Sequence, residues 1–469
     1  MRRTGLTIAV ILALVMLLPQ AAFAKTTIAD VKVAVDTVWV IVTACLVLFM
    51  QAGFAMLEVG FSRMKNVGSV VAKILANMGI GLVVFWAFGF AIAFGTGNAV
   101  FGTEGWFTSA APGEVDKVFA GLSWTEVPLG AKFLFEVAFA LVSLAIVWGT
   151  MLERTKFAVY CVFAVVFAGF IYPTVGHWIW GGGWLSGLGM QDFAGSTVVH
   201  LQGAVAALAG TLLLGPRLGK YDDEGRPRTI PGHNMPLAVL GVIILWIGWW
   251  GFNPGSTMAA VGAPFAYIAL TTNLAAGAGV LGAMVASYLH RRIIDVGMLG
   301  NGALAALVAI TASCAFVAPW ASIVIGFVAA VVMYATYIFV ERLRVDDPLG
   351  AIASHGMGGV WGTLSTGLFA TPQLVKEIGV GDPGLFYGGG LHQLGVQALG
   401  ILAAGGFTFA TSYIVFAILK ATIGLRVKPH QELDGLDVSE HGVYGYAESL
   451  VATDEYREAV TLDSGGREG

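Results

Sequence analysis

Two histidines, His200 and His355, stand inside long apolar, glycine-rich stretches at matching places in the first and second halves of the chain. An ionisable side chain at bilayer depth is costly, so each is expected to face a cavity or a partner and to mark a path for a proton, an ion or a polar solute. A neutral imidazole offers one donor and one acceptor, so two adjacent rings can share a proton and pass one between them. Such a pair suits a small hydrogen-bonding solute whose proton has to be handled separately. Bis-histidine haem ligation between two helices is a competing chemistry, and a structural histidine pair is a third reading.

Other residues could act with that pair. In DFAGSTVVH, Asp192 precedes His200 by eight residues; if helical throughout, that is two turns, placing both on one face about 12 Å apart along the axis. The carboxylate is better read as a helix N-terminal group that accepts backbone N–H bonds near the outer mouth. Trp180 lies in Trp180-Gly181-Gly182-Gly183-Trp184, where it could anchor at the interface or present its ring to a cation. Phe135 and Phe139 are one helical turn apart, and GFNPGS supplies Phe252 and Ser256. Taken singly, each phenylalanine reads as core packing. Glu58 and Glu136 are carboxylates in apolar surroundings, where burial favours the neutral form unless a partner is present. Cys45, Cys161 and Cys314 show no paired spacing and read as packing residues.

The elements that must position these groups are membrane helices. Of 469 residues, 57% are hydrophobic and only 12% charged, about half the charged share of a soluble domain, and mean hydropathy is +0.80. Sixty-four glycines fit helices packed closely through small residues. The net charge of -4 argues against a nucleic-acid partner. Apolar runs place eleven spans near 36–61, 68–96, 131–152, 156–178, 196–215, 235–252, 262–290, 299–317, 320–341, 351–370 and 388–424. Basic residues follow the odd-numbered spans: Arg63 and Lys65, Arg154 and Lys156, Arg217 and Lys220, Arg291 and Arg292, Arg342 and Arg344, Arg426 and Lys428. The positive-inside rule then puts the N-terminus outside and the C-terminal tail in the cytoplasm. Arg2 and Arg3, the apolar run from Leu6 to Leu18 and Ala22-Phe23-Ala24 read as a signal peptide over 1–24, cleaved after Ala24. Two consecutive five-span halves must insert in opposite orientations, which makes an inverted repeat with an eleventh helix added. Gly203 and Val205 follow His200 as Gly358 and Val360 follow His355. The expected class is an all-α integral membrane protein.

Five segments carry a resemblance: HWIWGGGWL at 177–185, DFAGSTVVH at 192–200, IGWWGFNPGS at 247–256, VDDPLGAIASHGMGG at 345–359 and GLRVKPHQELDGLDVSEHG at 424–442. Across nearly the whole mature chain the sequence resembles the ammonium transporter family (Amt/Mep/Rh), in its bacterial and archaeal Amt branch. The resemblance implies a membrane domain over 25–425, a cytoplasmic tail over 426–469, a homotrimer with a pore in each subunit, and residence in the cell (inner or plasma) membrane. It implies transport of ammonium or ammonia, with methylammonium a further candidate, no cofactor, no enzyme activity and a PII-type signalling protein as cytoplasmic partner. By motif position, Trp180, Ser256 and Phe135 look like an external recruitment site supported by Asp192. Phe139 and Phe252 look like its gate, and His200 and His355 like the twin histidines of the pore. Two positions depart from the family pattern: Ser196 stands where a second glycine is common, and Glu136, a possible modulator, where glutamine is frequent.

Overall fold

The computed structural model describes residues 26–446, so the signal-peptide reading of 1–24 and the tail beyond 446 lie outside the described residues. Among the described residues there is no strand, only isolated bridges. Among the described residues, ten helices are long and apolar enough to cross a membrane: α1 (Ile28–Phe61), α2 (Met64–Phe94), α3 (Leu129–Gly149), α4 (Phe157–Gly187), α5 (Ser196–Leu214), α6 (Met235–Thr257), α7 (Phe265–Arg291), α8 (Val296–Ser313), α9 (Pro319–Arg342) and, last of these, α11 (His392–Thr422). Between α9 and α11 runs α10, a wide π-helical turn Ile352–Met357 that continues as Gly358–Phe369. Ser354, His355, Thr363, Ser365 and Thr366 make it the least apolar of the eleven.

The eleven expected spans are all present, with shifted ends. The largest shift of a starting residue is in α1, which begins at Ile28 rather than near 36. Asp30, Lys32 and Asp36 hide its first turns from an apolarity count, but Thr27 and Asp30 close a capping box around the N-terminus. Its 34 residues span roughly 51 Å, well beyond a 30 Å hydrocarbon layer. Asp36 is used outside the helix, where its Oδ1 accepts from the Ala260 and Val261 amides at 2.7 and 2.9 Å.

The architecture is an all-α membrane fold of two five-helix halves with α11 outside them. The opening helices of the halves, α1 and α6, pack along each other, and α7 packs against α8 and α9. Close approach there depends on glycine: a Cβ on Gly53 would meet the Leu245 side chain at 2.8 Å, and one on Gly251 the Thr43 carbonyl at 2.5 Å. The most enclosed spans are α3, α5 and α8, and their apolar side chains face protein, whereas Val38, Leu75, Leu402 and Ile414 project from outer helices. The inverted relation is visible at α5 and α10. Helix α5 begins beside Asp192 and ends just before Arg217, while α10 begins beside Asp346 and Asp347, and Asp346 pairs with Arg217. The two histidine-bearing helices therefore run in opposite directions.

That Arg217 end of the bundle, here the basic face, is tied by buried ions. Arg217 makes a forked contact with Asp346 (Nε 2.8 Å, Nη2 3.0 Å) and reaches Glu153 at 3.2 Å, which also accepts from Arg63 Nε at 2.8 Å. Arg154, wholly buried, donates to the carbonyls of Gly215, Leu152 and Asp346. The chain after α11 folds back across this face. Val427 N–H donates to Arg154 O, Glu432 pairs with Arg426, and Asp437 accepts from Ser69 N–H at 2.8 Å.

Candidate functional site

Both histidines sit in π-helical turns: His200 in Ser196–Leu201 at the start of α5, and His355 in Ile352–Met357 at the start of α10. A π-turn widens the helix and re-aims one side chain, a local distortion common at functional sites. Each turn is capped by the aspartate eight residues before its histidine. Asp192 accepts from the amides of Gly195, Thr197 and Val198 at 3.0–3.2 Å, and Asp347 from those of Ala351 and Ile352 at 3.0 and 2.7 Å. The halves thus share a longer pattern, Asp192–Gly195–His200–Gly203–Val205 against Asp347–Gly350–His355–Gly358–Val360, at identical spacing. Both first glycines are left-handed, at φ 108° and 73°, a conformation that favours glycine. Asp347 was not singled out from the sequence. Extending the comparison eight residues upstream of each histidine would have found it.

Because Gly195 turns the chain, Asp192 does not continue the helix of His200. The continuous two-turn spacing considered above does not apply, and the N-terminal capping reading does. Burial pushes the Asp347 carboxyl up to about 6, with the amides of Ile352 and Ala351 pulling the other way.

The histidines meet at Nδ1···Nδ1 3.2 Å with ring centroids 5.3 Å apart. One ring must carry its hydrogen on Nδ1 and the other its lone pair there. Two nitrogens on opposite sides of one metal ion would stand about 4 Å apart, two bonds of roughly 2 Å. The observed contact suits a shared hydrogen and not bis-histidine haem ligation. His200 Nε2 is buried and without a partner, so it offers one polar atom to whatever occupies the space beside it.

Aromatic rings form a file above the pair. Phe135 packs on Phe139 at 4.7 Å with the rings tilted by 45°, Phe139 on Phe252 at 4.1 Å with a 32° tilt, Phe252 stacks on His200 at 5.4 Å, and Trp180 meets Phe139 edge-on at 6.1 Å. Helices α3, α6, α5 and α10 each contribute, so the file draws on both halves. Trp180 is fixed by its indole N–H to Asp192 O at 2.7 Å. The Ser256 hydroxyl donates to Phe252 O at 2.7 Å, which keeps its lone pairs available. Glu136 is buried beside Phe135 on α3, 7% exposed. Ser196 is no idle replacement of glycine: its hydroxyl donates to Val308 O at 2.6 Å and accepts from Ala312 N–H at 2.7 Å, fastening α5 to α8.

Sequence reasoning missed Trp249. Its ring stacks on His200 at 5.3 Å and 18°, anchored by its indole N–H to Thr311 at 2.9 Å. It lies three residues before Phe252 on α6, so helical spacing to a flagged residue was the available signal. His177 and His233, by contrast, fasten backbone: His177 lies between the Ala93 and Asn98 carbonyls, and His233 reaches Ser62 O.

Residues 38–446 match the model of the Ammonium Transporter Family. Ammonium transporter Amt2 of Archaeoglobus fulgidus is 42% identical over 456 residues, covering 93% of this chain and 93% of that protein. Ammonium transporter Amt1 of Haloferax mediterranei is 37% identical over 442 residues, covering 89% and 80%. Among solved structures, a protein described as a sensor Amt protein superposes with TM-score 0.81 at 36% identity, over 88% of this chain and all of that one. Mep2 of Candida albicans gives TM-score 0.77 at 28% identity, over 92% and 93%.

Proposed function

Since the chain belongs to the ammonium transporter family, and is thus a transporter and not an enzyme, we propose that it takes up ammonium by separating the ion into ammonia and a proton. An intact cation entering an apolar passage would lose its hydration without replacement, a penalty far above that of the neutral molecule. Trp180, Phe135 and Ser256 recruit the cation, by ring faces and one hydroxyl oxygen, with Asp192 holding Trp180 in place. The Phe139–Phe252 pair closes the passage below. Ammonia passes the gate, meets the free His200 Nε2 and continues past His355, while the proton moves through the paired rings. Methylammonium fits the same logic as a second substrate.

The observation that carries this reading is the file of rings ending on two imidazoles in mutual contact at 3.2 Å. The basic face is read as cytoplasmic by the positive-inside rule, so the N-terminus is external after removal of 1–24, the membrane domain spans 25–425 and the tail 426–469 lies inside. The family resemblance supports reading the protein as a homotrimer in the cell membrane, with a PII-type protein docking on the cytoplasmic face.

A second reading, an ammonium sensor acting through a partner, is favoured by one observation: the likeness to the protein described as a sensor Amt protein. Purified protein in liposomes separates the two. A saturable inward-positive current on an ammonium pulse, absent from empty liposomes, supports transport. No current, together with no ammonium-driven change in luminal pH, moves the assignment to sensing.

A further inference from the structure

Glu58 has no part in the mechanism above. It lies on α1 close to the Ser62 cap and is wholly buried. Its Oε2 accepts from the Lys73 ammonium of α2, which is itself 2% exposed and lies 5.8 Å from the centre of the Tyr160 ring. Its Oε1 is buried with no hydrogen-bond partner. A narrow cavity runs past this side chain, and its wall includes Glu58, Asn301, Ser354 and His355 among apolar neighbours such as Phe54 and Ile146. The Ser354 hydroxyl is also buried without a partner. Two unpartnered polar groups and one histidine of the pair thus share one enclosed space. Asn301 is already occupied, its amide donating to Leu349 O at 3.0 Å.

A purely structural role does not account for this arrangement. A buried carboxylate–ammonium pair loses much of its attraction to desolvation, and well-packed apolar residues generally serve a helix interface as well or better. A structural carboxylate also has its oxygens satisfied, because a buried acceptor left bare is destabilising. Here Lys73 engages one oxygen, while the other is presented bare beside the cavity. Separate passage of ammonia and a proton creates a need for such a group, since the proton leaving the histidines has to reach a base before ammonia can recover it.

We propose that Glu58 is the inner-mouth acceptor of the relayed proton and that the cavity it shares with Ser354 and His355 is where ammonium is re-formed. The proposal rests on the transport reading. The N–H bond of a His355 imidazolium breaks and an O–H bond forms on Glu58 Oε1, directly or through the Ser354 hydroxyl. The nitrogen lone pair of an arriving ammonia then takes that hydrogen, the O–H bond breaks, and the carboxylate returns to its pairing with Lys73. No electron is transferred, and the cation leaves toward the basic face.

The test uses the full chain in liposomes, as wild type, Glu58→Gln, and Glu58→Gln with Lys73→Met. The double substitution leaves no unpaired charge in the bundle, so its folding is not put at risk by a lone ammonium. Two quantities are read: the current on an ammonium pulse, and the luminal pH rise from entering ammonia above the empty-liposome rate. Loss of a proton acceptor should lower the current at least about tenfold in both variants, while ammonia that enters without its relayed proton takes one from the lumen, so luminal pH rises faster than with wild type, where proton and ammonia arrive together. A double variant with wild-type current would overturn the proposal, as would one that loses both signals, because that marks the pair as a prop for the pore. Wild-type protein without current would defeat the transport reading itself, and this proposal with it. A His355 variant without current, beside a double variant that retains it, would defeat the proposal alone.

Discussion

At the scale of single residues, the site depends on polar atoms placed where an apolar passage has few. His200 keeps Nε2 bare and spends Nδ1 on His355, so the pair has one shared hydrogen and one open atom. Replacing His355 by leucine removes the proton route but leaves the packing of Phe139 on Phe252 untouched. The ammonium-evoked current should fall on the order of 100-fold, measured in liposomes against wild type. Glu136 offers a gentler test. It follows Phe135 by one residue and so points about 100° away from the face shared by Phe135 and Phe139. If its carboxyl helps to hold the cation, Glu136→Gln should weaken apparent affinity by a factor of about 5. A concentration series of currents checks this, and an unchanged half-saturation value would remove Glu136 from the site.

At the scale of elements, the repeated unit is a capped π-turn: an aspartate, a left-handed glycine three residues on, and a histidine five residues after that. A Cβ on Gly195 would meet the Val199 side chain at 2.7 Å and the Trp180 ring at 3.0 Å, at a φ of 108°. Gly195→Ala should therefore cost about 1–3 kcal/mol of stability and displace Trp180, lowering apparent affinity as well; thermal unfolding in detergent and a current series read the two effects. The partner cap has a pH signature. The Asp347 carboxyl is raised by burial to about 6, so the folded state binds its proton more tightly than the unfolded chain. Its contribution to stability is present below about pH 4 and lost as pH rises to about 6, by roughly 3 kcal/mol. Asp347→Asn should abolish that slope, and thermal midpoints across the window measure it. These units were half legible in the sequence. The eleven helices followed from apolar runs and alternating basic loops, because lipid imposes one length and one charge rule on every span. The histidines stood out because a polar group in such a run is conspicuous. Asp347 and Trp249 did not: a capping aspartate looks like any loop acid, and a tryptophan in an apolar helix looks like packing, until the fold brings each against a histidine. The start of α1 was hidden for the opposite reason, since its capping residues are the kind that end an apolar run.

At the scale of the whole molecule, the two halves and the tail are joined at the basic face by buried ions alongside an apolar cluster that includes Val59, Leu152, Leu349 and Tyr446. Arg217, from the α5–α6 connection, holds Asp346 before α10 and Glu153 after α3, and Glu153 in turn holds Arg63 after α1. Burial opposes ionising Asp346, but Arg154 and Arg217 beside it prevail and hold its carboxyl at about 2. Burial likewise opposes ionising Glu153, yet Arg217 and Arg63 bring it below the ordinary carboxylate range. The sign is opposite to that of Asp347. A depressed carboxyl adds stability that is complete above about pH 4 and is lost as pH falls toward 2, here about 2 kcal/mol from Asp346. Breaking the cluster from the cationic side should cost more than its acid titration. Arg217→Met leaves Asp346 and Glu153 buried with one fewer partner each, which predicts a loss of about 3–5 kcal/mol at neutral pH. Arg217→Met combined with Asp346→Asn removes charge of both signs and should recover part of that loss. The same cluster sets where the tail lies, because Val427 rests on Arg154 and Leu218 N–H donates to Glu432 at 2.7 Å. Loosening Arg217 should therefore free the tail before the bundle unfolds. Limited proteolysis would show this as cleavage within 426–446 at temperatures where the membrane helices of the same variant remain protected, and simultaneous loss of tail and helices would mean that tail and bundle melt as one unit.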